Sequence, residues 1–374
     1  MKNFEIIIVG GGLAGLCNAI HLSKFRKKVI LIEKNSYPKH KVCGEYISNE
    51  VLPYLQFLGI NPFDFGAVKI NEFQLSTTKN KLISAKLPLG GFGISRYTLD
   101  FELYKKAMQN GVTFLHDVAT DIKFKNDEFT VQTKNNKVFT SKICIGSFGK
   151  RSQLDVNLNR DFIKKKSPYL GVKIHVKGNH NQNLVALHNF DGGYCGVSKV
   201  ENDAINLCYI SSFSSFKKYK NIEDFQQQVV FKNQFLKEIY SKSQPLFSQP
   251  LSISQISFES KNPIENHMIM CGDAAGMIHP LCGNGMSMAI QAGQIASKLI
   301  LNYADGVIST RKELENKYIS EWNKQFKWRL KAGHFIAMLF RKQKIANTLL
   351  AILKKAPFLL PIIIKQTHGK PIKL

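Results

Sequence analysis

The sequence predicts an α/β fold, α+β overall: a domain built on a parallel sheet, interrupted by an antiparallel sheet and followed by a helical tail. Three observations predict it. Ile6-Ile7-Ile8-Val9 is an apolar run that opens into Gly10-Gly11-Gly12-Leu13-Ala14-Gly15 and then into helical spacing at Leu16, Ala19, Ile20 and Leu22. Residues 155–258 hold several short strand-like runs with turn signals between them. From Trp322 to Leu374 apolar residues recur at helical spacing among twelve Lys or Arg, with no Asp or Glu.

The first stretch carries the most chemistry. Four apolar residues read as a buried parallel strand. Gly10, Gly12 and Gly15 form G-x-G-x-x-G. Gly10 permits a tight turn, Gly12 lets the backbone approach a pyrophosphate, and Gly15 lets helix and strand pack closely. The anion would sit on the N-terminus of the helix opened by Leu13 and Ala14, where free N–H groups and the dipole favour negative charge. A second apolar strand, Val29-Ile30-Leu31-Ile32, ends in Glu33 and Lys34. That carboxylate has the spacing of a ribose 2′-OH acceptor. The unit reads as a Rossmann-like dinucleotide site.

Composition bounds the rest. A chain of 374 residues can hold two domains, and 44% apolar content is that of a globular protein. Seven cysteines, an odd number without C-x-x-C pairing, argue against a disulfide framework and for a reducing compartment. The N-terminus runs straight into the first strand, so no signal peptide is expected, and no apolar run has the length of a spanning helix. A net charge of +25 suggests anionic partners: phosphates, an acidic lipid surface or an acidic carrier protein. No nucleic-acid motif accompanies it. The expected location is cytoplasmic, with the inner membrane face as a peripheral site.

The loop Tyr37-Pro38-Lys39-His40-Lys41-Val42-Cys43-Gly44-Glu45 leads into apolar spacing at Ile47, Val51, Leu55 and Leu58, which reads as a helix stopped by Gly59. Cys43 stands among Lys39, His40 and Lys41, a setting that lowers a thiol pKa. P-x-x-K-x-C-G after the ribose acid resembles the geranylgeranyl reductase family of flavoproteins, within the wider group built like para-hydroxybenzoate hydroxylase. The resemblance implies FAD as cofactor, with Cys43 and Gly44 near flavin and substrate. Cys43 reads either as a chemical participant or as a residue of a loop that wraps the cofactor.

Phe73, Leu75, Leu82, Ile83 and Leu87 alternate as strands entering a second domain. Arg96, just before a helix ended by Asn110-Gly111, can clamp phosphate or ribityl oxygens, and it resembles the family's arginine at FAD. Residues 117–145 read as a β-meander with a tight Asn135-Asn136 hairpin, ending in the strand Ile143-Cys144-Ile145. Next comes Phe148-Gly149, where the family usually has Asp-Gly. Gly149 keeps its backbone for FAD, while the lost acid puts the ordinary nicotinamide-driven cycle in doubt. Strands follow at Leu170–Val176, Leu184–His188, Tyr194–Val200 and Ala204–Ile210, with a helical stretch over 222–240. Tyr194 and Cys195 fall where lipid reductases of the family carry an aromatic strand, and they are the candidate substrate contacts.

The second anchor is a buried strand running into Gly272-Asp273, then His279-Pro280-Leu281-Cys282, then Gly283-Asn284-Gly285-Met286 opening a helix. Gly272 allows close backbone approach, Asp273 offers a carboxylate to hydroxyls, and the helix N-terminus can face a developing anion. The segment resembles the family's G-D-A-A-x-x-x-x-P-x-x-G-x-G, which implies cofactor contacts from Gly272, Asp273, Pro280, Gly283, Asn284, Gly285 and Met286. His279 is a candidate acid, base or substrate contact, or a satisfied loop histidine. The basic tail reads as a membrane-surface segment or as a helical layer packed on the FAD domain.

These readings give an FAD-binding domain from residues 1–70, 93–154 and 261–304. Residues 71–92 and 155–260 form the substrate domain, and 305–374 a basic helical region. The expected activity is reduction of a C=C bond in a hydrophobic isoprenoid- or polyene-like substrate, with Cys43 and His279 as catalytic candidates and NAD(P)H as candidate electron donor. The alternative is an FAD-dependent monooxygenase acting on an aromatic or polyketide. The W-x-W-x-I-P segment of the related halogenases is absent. A non-catalytic, flavin-bound membrane protein is the remaining class, and retained FAD with lost activity on mutating Cys43 or His279 would count against it.

Overall fold

The computed structural model describes residues 2–165, 167–341, 343–356 and 358–374. Among these residues the strands form sheets of six, nine and four strands. The six-stranded sheet has Ile6–Val9 at its centre, with Val29–Glu33 on one side and Ile143–Gly146 on the other, all parallel. Thr113–His116 extends one edge and Met268–Met270 the other, again parallel. The central strands are apolar because both faces are covered, one by Leu13–Lys24 and the other by Ile122, Phe129, Val131 and Phe139 of the four-stranded sheet, whereas the edge strand Thr113–His116 keeps polar, exposed ends. Leu13–Lys24 packs on Gly285–Ala304, and a Cβ at Gly293 would lie 3.1 Å from the Ala14 carbonyl oxygen.

Ligands in such sheets bind beyond the carboxyl ends of the strands, where the chain leaves in opposite directions from neighbouring strands. Here four turns meet at that edge: Gly10–Gly12, Glu33–Asn35, Ser147–Gly149 and Gly272–Asp273.

The nine-stranded sheet is mostly antiparallel and runs through Tyr169–Lys177, Ala204–Ser212, Gly193–Lys199, Leu184–Phe190, Val68–Ser76 and Leu82–Gly93 to Tyr46–Ser48. One face is covered by Ile222–Gln228 and Gln234–Ser241, whose Phe225 and Leu236 pack with Val172, Val197 and Leu207. The other face looks across at the parallel-sheet domain. The expected helix over Ile47–Leu58 is corrected: Ile47 is in the edge strand Tyr46–Ser48, one 3₁₀ turn follows, and the helix is only Leu52–Phe57. Edge pairing with Leu82–Gly93 captured the first apolar positions.

Arg311–Arg341 runs along the Gly285–Ala304 helix and buries Leu314, Tyr318, Trp322 and Phe326. Gln343–Lys355 and Leu359–Thr367 then turn onto the large sheet, where Leu350, Leu353 and Leu360 pack with Leu75 and Ile83. The tail thus packs on both the Gly285–Ala304 helix and the nine-stranded sheet, instead of layering on the parallel-sheet part alone. Among the described residues no helix is long and apolar enough to cross a membrane.

Candidate active site

A cavity of about 830 Å³ lies between the carboxyl edge of the parallel sheet and the inner face of the large sheet. That is within the ordinary range for a cofactor or ligand site. One end is made of glycine turns and charged groups, the other of Phe73, Leu75, Val185, Leu187, Leu360 and Ile364.

The glycine turn does what its spacing implied. Gly10 has φ +103°, and a Cβ there would overlap the Ser147 carbonyl. A Cβ at Gly15 would overlap the Gly10 carbonyl, so this glycine seats helix on strand. At Gly12 the space is open, the nearest atom to a Cβ being Arg96 Nη2 at 3.9 Å. Gly12 is the N-cap of Leu13–Lys24, and no side chain caps the first turn. Leu13 and Ala14 line the cavity beside these free N–H groups. Glu33 accepts from the Gly11 N–H (2.7 Å) and from the Asn35 backbone and side chain (2.9 and 2.8 Å), which fixes its carboxylate at the rim beside Lys34.

Arg96 lines the same end, with its guanidinium held by Asp100 through Nε (2.7 Å) and Nη2 (2.8 Å). Lys41 joins Asp100 at 2.7 Å. Burial alone would raise the Asp100 carboxyl, but the two cations hold it below the usual range. Arg96 therefore enters the cavity as an oriented cation that has already spent its bidentate pair.

Across from it, Gly272 has φ +62° and Asp273 faces the cavity. Burial raises the Asp273 carboxyl, opposed by Lys261, Arg96 and Lys150. Lys261 Nζ donates to the carbonyls of Asp273 (2.7 Å) and Lys150 (2.8 Å). Gly149, at φ +87°, and Phe148 line the wall between.

Pro280, Gly283, Asn284, Gly285 and Met286 form the next wall. Gly285–Ala304 also begins without a side-chain cap. The Asn284 side chain is turned back to Glu50 (2.9 Å), leaving its backbone toward the cavity.

Cys43 is half-buried, with Sγ 3.4 Å from Met286 Sδ. The expectation of a lowered thiol pKa is corrected: burial pushes it up, only partly opposed by Arg96. The neighbouring cations are engaged elsewhere. Lys39 bonds Asn35 (2.6 Å), Lys41 bonds Asp100, and His40 stacks on Tyr97.

Behind this loop is a buried charged group that the sequence reading missed. Glu45 accepts from Lys173 Nζ, from His175 Nε2 (2.6 Å) and from the Arg96 backbone N–H (2.7 Å). Lys173 and Glu45 are both fully buried. Lys173 also donates to the Lys41 carbonyl (3.2 Å), and Asn206 Nδ2 donates to the Cys43 carbonyl (3.1 Å). Lys173 and His175 sit two apart on one strand and so share a face, a signal available in the sequence.

Tyr194 lines the cavity, and its hydroxyl is buried without a hydrogen-bond partner. Cys195, next on the strand, points to the opposite face and packs in the core with Val197 and Phe225. His279 does not line the cavity. Its Nδ1 accepts from the Leu281 N–H (3.4 Å), and its ring packs among Phe258, Tyr169 and Tyr194. Burial, then His334, lowers its pKa to about 4. The structure thus brings together every singled-out residue except Gly15, Cys195 and His279, none of which reaches the cavity.

The residues fit an FAD: an open glycine cradle, two uncapped helix N-termini, carboxylates for ribose and ribityl hydroxyls, and oriented cations. Comparison with known proteins agrees. The family model described as FAD binding domain matches residues 3–309. The digeranylgeranylglycerophospholipid reductase of Methanococcus vannielii is 23% identical over 359 residues, covering 89% of this chain and 84% of that protein. The solved structure of a flavin-dependent brominase superposes with a TM-score of 0.81 at 17% identity, covering 100% of this chain and 95% of the other. A geranylgeranyl bacteriochlorophyll reductase-like protein from Thermoplasma acidophilum gives 0.71 at 17% identity, covering 99% and 93%. At such identities the two structures speak for the fold.

Proposed function

The chain belongs to the FAD binding domain family, and from that premise we propose that this FAD-dependent oxidoreductase reduces a C=C bond of a hydrophobic, isoprenoid-like substrate. Bound FAD supplies the hydride chemistry. The chain must then bind, orient and protonate. Gly12 and the first turn of Leu13–Lys24 take the pyrophosphate, Glu33 the ribose, and Asp273 with Arg96 the ribityl hydroxyls. The uncapped start of Gly285–Ala304 favours negative charge at its end of the cavity. Cys43 holds a proton at Sγ, and the apolar walls exclude water.

One observation carries the reading: a thiol kept protonated by burial stands against Met286, where the glycine turns meet the apolar chamber. Cys43→Ala should keep FAD and lose about a hundredfold or more in alkene turnover, the usual share of a general acid. Turnover within a few fold of wild type would remove Cys43 from that role.

The electron donor is either NAD(P)H or a reduced carrier protein, and Phe148 in place of the family's acid favours the carrier. Anaerobic mixing with NADPH and NADH decides between them. The second reading, monooxygenation of an aromatic or polyketide, is favoured by the rings of Phe73, Phe148 and Tyr194 along the cavity. His279 acts in either reading by positioning the Tyr194 ring.

We also propose that the tail docks on the inner, anionic membrane face of a cytoplasmic enzyme. Trp328 (64% exposed) and Phe358 (68%) stand in solvent among Lys324, Lys327, Lys354 and Lys355. Co-sedimentation with anionic vesicles, lost in neutral vesicles and in Trp328→Glu/Phe358→Glu, is the expected result; equal sedimentation with both would contradict it.

A further inference from the structure

The end of the chain returns to the cavity. Gly369 donates its N–H to Glu50 Oε2, the Ile372 N–H donates to the Glu50 carbonyl (2.8 Å), and Gln294 Nε2 donates to the Lys373 carbonyl (3.1 Å). Glu50 is fully buried, accepts from Asn284 Nδ2, and has Arg329 Nη1 at 3.5 Å. The tail is therefore fastened to the start of the Gly285–Ala304 helix.

Just before these anchors, His368 stands on the cavity wall with Leu360, Ile363 and Ile364. Its Nδ1 lies 2.9 Å from the Ile364 carbonyl oxygen. That oxygen can only accept, so Nδ1 carries the proton and Nε2 is left with a lone pair. Nε2 is buried and has no hydrogen-bond partner. Burial keeps the imidazole below its ordinary pKa despite Glu50, and Arg329 acts in the same direction as burial. A buried acceptor without a donor is costly and calls for a partner. Leu360, Ile363 and Ile364 on this wall are apolar, and the one hydroxyl beside them, Thr367 Oγ1, donates to the Ile364 carbonyl (3.0 Å) and lies on the Nδ1 side of the ring (3.2 Å).

We propose that His368 Nε2 accepts a hydrogen bond from a hydroxyl of the substrate, so that the site takes an apolar molecule with one hydroxyl end. This rests on the reading of the cavity as the substrate chamber. The hydroxyl can belong to a prenyl alcohol or to a phenol, and the test separates them.

FAD-loaded full-length protein is titrated with geranylgeraniol and its methyl ether, and with 2-naphthol and 2-methoxynaphthalene, following the flavin spectrum. Wild type should bind the hydroxyl member of one pair about tenfold more tightly than its ether, the worth of one buried hydrogen bond. His368→Phe should erase the preference and His368→Gln, which keeps an acceptor, should restore part of it. Equal binding of alcohol and ether by wild type overturns the proposal, as does a preference that survives in His368→Phe. So does loss of FAD itself in His368→Phe, because the donor would then be the cofactor. A preference seen only with naphthol supports the hydroxyl contact and overturns the isoprenoid reading. Prenyl binding without preference does the reverse. No response to either pair overturns both.

Discussion

An aspartate in place of Gly12 is expected to abolish FAD binding while leaving the cofactor-free protein at least as stable as wild type. Gly12 has an extended backbone (φ −81°, ψ −175°) that any residue adopts. A side chain there meets open space, with Arg96 Nη2 at 3.9 Å as its nearest neighbour. Aspartate at an N-cap satisfies first-turn N–H groups and adds on the order of a few tenths of a kcal/mol over glycine. The same carboxylate occupies the anion site and repels the pyrophosphate. Like charges brought together cost several kcal/mol, on the order of a thousandfold in affinity. FAD retention on desalting and the melting temperature of the cofactor-free protein check the two halves. Wild-type affinity in Gly12→Asp would remove the pyrophosphate from this helix. Gly15→Val should behave differently and lose fold and FAD together, because its side chain collides with the Gly10 carbonyl.

Lys173→Met is expected to destabilise the protein by about 3–5 kcal/mol, the cost of breaking a buried ion pair from one side. Glu45 would keep its charge with His175 and one backbone N–H as its remaining partners. Adding Glu45→Gln should recover much of the loss, since both charges are then gone. Denaturant unfolding of the three variants measures this, and a double mutant no better than Lys173→Met would contradict it.

The same groups set the pH dependence of the wild type. Burial tends to raise the Glu45 carboxyl, but His175 and Lys173 outweigh it and hold it below the usual carboxylate range. Stability from such a carboxylate is present above the unfolded pKa and lost as pH falls through the folded one. Buried His21, His188 and His279 are pushed down from 6.5 to about 4, chiefly by burial. Each stays neutral when folded and takes a proton when unfolded, so its contribution also falls as pH drops from 6.5 towards 4. Both sets act in one direction, and the raised Asp273 carboxyl opposes them alone, so the melting temperature should decline below pH 6.5.

The parts of the site legible in the sequence are those where local backbone and ligand chemistry coincide. Gly10 and Gly15 each have one sterically forced task, Gly12 leaves the anion site open, and Glu33 closes a strand whose end is set by apolar run length. Gly272-Asp273 is readable for the same reason. The Glu45–Lys173–His175 group was not, because its members are far apart in the chain and meet only when the large sheet closes on the Cys43 loop. Two-residue spacing puts Lys173 and His175 on one face, but not which face turns inward. Cys43 shows the converse error. Lys39, His40 and Lys41 adjoin it in sequence, yet Asn35, Asp100 and Tyr97 draw all three away. His279 and Pro280 are neighbours too, and a single loop turn sends one ring into an aromatic cluster and the other to the cavity. The tail's amphipathic spacing was readable, while its return to Glu50 depends on Arg329 and Asn284 meeting there.

The most direct test of the central claim is anaerobic: FAD-loaded protein is reduced chemically, mixed with geranylgeraniol, and followed by flavin absorbance and product mass. The predicted result is reoxidation of the flavin without oxygen, matched by a product heavier by two hydrogens. A flavin that stays reduced until air is admitted, with an oxygen atom gained by the product, would contradict C=C reduction and establish the monooxygenase reading in its place.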